Sequence, residues 1–91
     1  MAIGLYFHPQ TMTTEQYDEI MRRLESAGAD SPKGRTFHSA FGPPTSLMVY
    51  DVWDSQADFE EFGKTLMPIL ADVGVDPGQP DIMPMHNVLF H

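Results

Sequence analysis

Read for the alternation of apolar and polar positions, the chain separates into six segments. Residues 3–8 (IGLYFH) are rich in β-formers and predict a first strand. Pro9 to Met12 then lead to Thr13, and Gln16 three residues later completes a capping box. In that motif the hydroxyl and the amide each satisfy a backbone N–H that the first helical turn leaves free. Tyr17, Ile20, Met21, Leu24 and Ala27 recur on one helical stripe, and Gly28 is a natural stop, so one helix is predicted between Thr13 and Gly28.

Ser31-Pro32-Lys33-Gly34 reads as a turn, and residues 35–41 (RTFHSAF) as a second strand. Gly42-Pro43-Pro44 forces a loop, because proline cannot donate to a strand ladder. Residues 46–53 (SLMVYDVW) are the clearest strand in the chain. Ser55 caps a second helix, and Asp58 lies where the helix dipole favours a carboxylate. Phe59, Phe62, Leu66, Ile69 and Leu70 form its apolar stripe. Pro68 removes one helical hydrogen bond and crowds the preceding turn, so a break or kink is expected there, with a short turn ending near Gly74. Residues 75–81 read as loop and 82–90 (IMPMHNVLF) as a last strand, which Pro84 assigns to a sheet edge.

The order is β-α-β-β-α-β, an α+β arrangement of the ferredoxin-like type. It implies a four-stranded antiparallel sheet with two helices on one face. No repeat, low-complexity tract or linker divides residues 1–91, so a single domain is expected. The strands are apolar on both sides. Ile3, Leu5 and Phe7 alternate with Gly4, Tyr6 and His8, while Leu47, Val49, Asp51 and Trp53 alternate with Met48, Tyr50 and Val52. A sheet with one wet face would show polar residues at every second position. The face away from the helices should therefore be covered, and a two-fold copy of the chain is the economical cover. A homodimer is expected.

Composition narrows the function. Five Lys and Arg stand against thirteen Asp and Glu, a formal charge of −8. Residues 51–81 hold eight of the acids and only Lys64 among the bases, so that stretch carries −7. Nucleic-acid binding depends on neutralising phosphates, and anionic membranes attract basic segments, so neither partner is expected. No apolar run approaches the ~20 residues of a bilayer span, and the start of the chain lacks the pattern of a signal peptide. The absence of cysteine excludes disulfides, thiolate metal sites and a Cys nucleophile, and it fits a cytoplasmic location.

Several features together carry a family resemblance that spans nearly the whole chain. These are Tyr17-Asp18 in the first helix, Phe37-His38 on the second strand, Val52-Trp53-Asp54-Ser55 at a strand-to-helix junction, Phe59 and Phe62 behind it, and His86-Asn87-Val88 near the end. The chain resembles the dimeric α+β barrel superfamily, and within it small bacterial relatives of antibiotic-biosynthesis monooxygenases and muconolactone isomerase. The resemblance implies the ferredoxin-like fold and a pocket for a small hydrophobic or aromatic molecule. It does not choose among the activities this superfamily hosts. Haem-degrading members carry a histidine ligand on a helix, and neither predicted helix here contains one.

The histidines are the side chains whose ordinary titration lies near neutrality. His8, His38 and His86 fall on predicted strands and His91 is terminal. His38 and His86 are the proton-transfer candidates, a role typically worth about 10²–10⁴-fold in rate. Tyr6, His8, Tyr50 and Asn87 are candidates for orienting a substrate. No short His-x₃-His spacing supports a metal site, and no glycine-rich phosphate loop supports a nucleotide, so no metal or cofactor is expected. Asp51, set among apolar residues, needs a partner if buried, and Arg22, Arg23 or Arg35 could supply one. Two readings follow. One is a small cofactor-independent enzyme, monooxygenase- or isomerase-like, with its pocket between helices and sheet. The other is a non-catalytic homodimeric module that binds a ligand or a partner protein.

Overall fold

The structure, a computed structural model, describes residues 1–90. His91 lies outside the described residues. Strand β1 (Ile3–Phe7) leads to helix α1 (Thr14–Ser26), then β2 (Arg35–Phe41), β3 (Met48–Trp53), helix α2 (Gln56–Val73) and β4 (Asp81–Pro84). The sheet is antiparallel throughout, in the order β2-β3-β1-β4. This is the ferredoxin-like arrangement that the segment order predicts.

The caps form as the sequence indicates. The Thr13 hydroxyl accepts from the Gln16 amide N–H, and the Gln16 side chain accepts from the Thr13 N–H at 2.9 Å, so both halves of the capping box are made. Ser55 accepts from the Asp58 N–H at the start of α2, and Gly74 ends that helix in the left-handed region at φ 87°. Gly34 is also left-handed, at φ 88°, and a Cβ there would stand 2.7 Å from both Cβ and Cγ of Asp58. The turn before β2 thus seats against the first turn of α2, a contact that needs glycine.

Three expectations require correction. Helix α2 runs unbroken through Pro68. Pro68 lies on the exposed side of α2, while Phe62 and Leu70 on either side are buried and hold the helix to the sheet. The third strand begins at Met48, not 46, because the chain before it is held otherwise: the Ser46 N–H bonds Pro43 and the Leu47 N–H bonds the Met12 carbonyl at 2.7 Å. The fourth strand ends at Pro84 and does not reach residue 90. Ile3 pairs with Pro84, so the partner strand has run out, and one further bond, from Met85 N–H to the Ala2 carbonyl, closes the ladder.

The core lies between the sheet and the helices. Ile3, Leu5, Phe7, Val49 and Trp53 meet Ile20 and Leu24 of α1 and Phe59, Phe62 and Leu70 of α2. Trp53 is fully buried, with its ring centroid 5.6 Å from that of Phe59 and 5.5 Å from that of Phe62. The opposite face presents Tyr6, Met48, Tyr50, Phe37 and Phe41. Beyond β4 the chain crosses this face, since Met85 reaches Gly4 and the Phe90 ring lies 6.2 Å from Phe37. Met83, Leu89 and Phe90 remain largely exposed there. Among the described residues no helix is long and apolar enough to cross a membrane.

Candidate active site

The register of β2 on β3 decides which polar groups meet. His38 pairs directly with Asp51, and directly paired residues share a sheet face, so both point toward the helices. Arg35 and His38 are three apart in a strand and should lie on opposite faces. A bulge between Arg35 and Phe37 shifts the register by one residue and brings both to the helix side. Tyr17 reaches them from the first turn of α1.

The contacts form a continuous chain. The His38 Nδ1 lies 2.6 Å from Asp51 Oδ1, and its Nε2 lies 2.6 Å from the Tyr17 hydroxyl. The Trp53 indole N–H donates to the second Asp51 oxygen at 3.3 Å. Asp51 is 4% exposed, the one charged side chain among the described residues that is buried. A carboxylate can only accept, so His38 carries its proton on Nδ1 and presents a lone pair at Nε2. The Tyr17 hydroxyl is then the donor to Nε2. The two rings are nearly parallel, at 6°.

Burial raises the Tyr17 pKa above its ordinary value of 10.0. The Arg35 charge pulls it partly back, while Asp51 and Asp18 add to the rise. The hydroxyl is therefore a proton donor throughout the neutral range. Because the folded pKa lies above the unfolded one, this group's contribution to stability is whole below pH 10 and is lost as pH rises through the folded value. Melting temperatures measured between pH 8 and 12 should fall less steeply for Tyr17→Phe than for the wild type. An unchanged slope would mean that this hydroxyl is not the one titrating.

The chain of contacts opens on a narrow cleft between α1, α2 and the sheet, with a cavity volume of about 60 Å³. Its wall is almost wholly apolar, including Phe7, Met12, Ile20, Phe62 and Leu70, and its polar groups are Tyr17, Arg35, His38 and Asp51. Apolar clefts with a few convergent polar groups are the usual form of small-molecule sites. Among the described residues no three His, Asp or Glu side chains converge as metal ligands would.

Of the candidate residues named from the sequence for proton transfer or substrate binding, only His38 lines this cleft. His86 and Asn87 are exposed beyond the end of β4, outside any strand, because the ladder stops at Pro84. Their expected place in a pocket between helices and sheet is corrected on that ground. Tyr6 and Tyr50 are cross-strand partners on the opposite face, where the Tyr6 hydroxyl donates to the Met48 sulfur at 3.0 Å. His8 follows β1 at the surface and lies 3.3 Å from Asp81. The anticipated Asp51–arginine pair is also corrected. Arg22 and Arg23 pair with Glu19 on the surface of α1, and the Asp51 partners are His38 and Trp53.

Tyr17 and Arg35 are not legible as site residues in the sequence. Tyr17 belongs to the apolar stripe of α1 by spacing, and the bulge that turns Arg35 inward has no marker in RTFHSAF. Asp51 within an apolar strand is the one signal, and its direct partner in the sheet completes it.

No protein-family model matches the chain, and no curated protein matches it. Solved structures do. SnoaB, a cofactor-independent oxygenase from Streptomyces nogalater, is similar at 11% identity and a TM-score of 0.60, over 97% of this chain and 93% of that one. A Chloroflexus aurantiacus protein assigned as an antibiotic biosynthesis monooxygenase is similar at 15% identity and a TM-score of 0.65, over 97% of both chains. Rv0793 from Mycobacterium tuberculosis is similar at 12% identity and a TM-score of 0.58, over 96% of this chain and 95% of that one. At such identities the likeness is one of fold, the ferredoxin-like arrangement described above.

Proposed function

We propose that the protein is a small cofactor-independent enzyme, monooxygenase- or isomerase-like, acting on a small hydrophobic or aromatic molecule in the cleft between helices and sheet. One observation carries this reading: a half-buried chain from Asp51 through His38 to Tyr17, rooted on the buried Asp51 carboxylate, ends at an apolar cleft. A carboxylate on Nδ1 fixes the tautomer and stabilises the imidazolium that forms when Nε2 accepts a proton, the logic of a general base. A substrate with a weakly acidic C–H or O–H inserts between Tyr17 and His38. His38 Nε2 takes the proton, and the Tyr17 hydroxyl, freed from His38, donates to the oxyanion that develops. Returned to another atom, the proton gives isomerisation. Alternatively the substrate anion, acting as the reductant, forms a C–O bond with dioxygen. The peroxide takes the proton back from His38 and loses water, leaving one oxygen in the product as a carbonyl, and cofactor-independent oxygenase is what the name of the SnoaB structure records for that protein.

The test is a panel of small enolisable ketones, lactones and phenols, followed by solvent-deuterium exchange and by dioxygen consumption. Turnover of at least one class by the wild type, lost in His38→Gln, is the expected result. The absence of both exchange and oxygen uptake across the panel would count against catalysis. One observation favours the second reading, a non-catalytic module: no buried side-chain polar atom among the described residues lacks a partner, so the chain of contacts is complete without a ligand.

The outer sheet face belongs to the same proposal. Met83, Leu89 and Phe90, at 65%, 71% and 70% exposed, lie over a face that already carries Phe37 and Phe41 at its far edge. A second copy covering this face accounts for apolar residues there. Light scattering at micromolar concentration should give about twice the monomer mass of 10.2 kDa, and a monomeric mass would remove the homodimer from the proposal. The cysteine-free composition fits a cytoplasmic enzyme.

A further inference from the structure

Arg35 stands out among the basic residues. Arg22, Arg23 and Lys64 each hold a surface carboxylate, and Lys33 is exposed on the turn before β2. Arg35 lines the cleft and forms no ion pair with any carboxylate of the described residues, in a protein that carries −8 overall. Its guanidinium is nevertheless held in place. One nitrogen donates to the Asp30 carbonyl at 3.2 Å, and the guanidinium carbon stands 5.7 Å from the centroid of the Phe62 ring. Both anchors leave further donors of the planar fork unused.

Resting on the cleft reading above, we infer that Arg35 is the anchor for a carboxylate on the substrate, which is therefore a small apolar carboxylic acid with its body directed toward His38 and Tyr17. The bulge in β2 puts the cation on the same side of the sheet as His38, so one molecule can touch both. The fork of N–H donors matches a carboxylate in two-point geometry, which a lysine ammonium does not. The influence of Arg35 on Tyr17 shows that its charge is felt within the cleft. The surrounding acidity sharpens the inference: the overall field repels anions, so an anion that binds must be drawn by a local cation and retained by apolar contact. Of the five bases, only Arg35 offers both.

The test compares three probes by NMR titration of the full chain, following the ring signals of His38 and Tyr17 and needing no turnover. Phenylacetate should bind saturably and shift both residues. Phenylacetamide, nearly the same shape without the charge, should bind at least about tenfold more weakly, as expected for loss of a charge-assisted pair. Inorganic phosphate should not compete at equal concentration. Arg35→Gln should remove the preference for phenylacetate over phenylacetamide, and Arg35→Lys should restore only part of it. Equal affinity for the acid and the amide, retention of the preference in Arg35→Gln, equal competition by phosphate, or no binding of phenylacetate at millimolar concentration would each overturn the inference. Binding of the amide as strongly as the acid beside His38 would leave the catalytic reading standing. Selective binding of phenylacetate with no turnover of any carboxylate or neutral compound would leave the anchor standing and remove catalysis.

Discussion

Trp53→Ala is expected to destabilise the protein by about 3–5 kcal/mol, the range for emptying a large aromatic from a packed core. The ring is wholly buried, wedged between Phe59 and Phe62, and it joins the end of β3 to α2. Its loss also leaves Asp51 Oδ2 without its indole donor inside the core. In a domain of this size each kcal/mol moves the melting temperature by about 4–8 °C, so the midpoint should drop by at least about 12 °C. Small domains have little stability in reserve, and much of the variant population would be unfolded at 37 °C. Trp53→Phe separates the two contributions. It keeps most of the apolar contact and gives up the N–H, which should cost about 1–3 kcal/mol for an acceptor left short inside the core. Chemical denaturation of both variants gives the comparison. A cost below about 1 kcal/mol for Trp53→Ala would mean that this ring is not the centre of the core.

Asp51→Asn has the largest expected effect on activity. The amide has nearly the same shape but carries no charge, and it can turn its NH₂ toward His38. The imidazole is then free to move its proton from Nδ1 to Nε2, which removes the lone pair that faces Tyr17 and the cleft. A loss of about 10²–10⁴-fold in rate is expected on whichever substrate the panel identifies, similar to that of His38→Gln, because the two residues act as one unit. The tautomer change is visible in ¹⁵N NMR of the His38 ring without any substrate. If Asp51→Asn kept the Nδ1–H tautomer and full activity, the carboxylate would have no part in proton transfer. Asp51→Ala should in addition be destabilising, since the Trp53 and His38 N–H groups would both lose their acceptor in the core, at about 1–3 kcal/mol each.

The readable part of the site is the part that local chemistry marks. A carboxylate among Leu47, Val49 and Trp53 is costly unless partnered, and that cost makes Asp51 conspicuous in the sequence. Its partner is not identifiable there, because a strand's neighbours depend on pairing and register. His38 and His86 look alike in sequence, each a histidine in an apolar segment. One lines the cleft and the other is a surface residue, and the difference is that β1 starts at Ile3 and leaves residues past Met85 nothing to pair with. Pro68 fails as a helix breaker because it sits on the wet side of α2, which a stripe of Phe62, Leu66 and Leu70 indicates only once the helix is docked.

Local rules are enough for the order of elements, the caps at Thr13 and Ser55, the stop at Gly74 and the two-sided apolar strands, and hence for the ferredoxin-like fold. Each of these depends on side chains within a few residues of one another, where steric preference and hydrogen-bonding geometry act directly. The site depends on contacts across the sheet and between helix and sheet: His38 opposite Asp51, Tyr17 above His38, and Arg35 turned inward by a bulge. A shift of one residue in the pairing of β2 would send His38 to the other face, because side chains alternate along a strand. Only the packed sheet fixes that register, so the fold is open to a reading of the chain while the chemistry belongs to its tertiary partners.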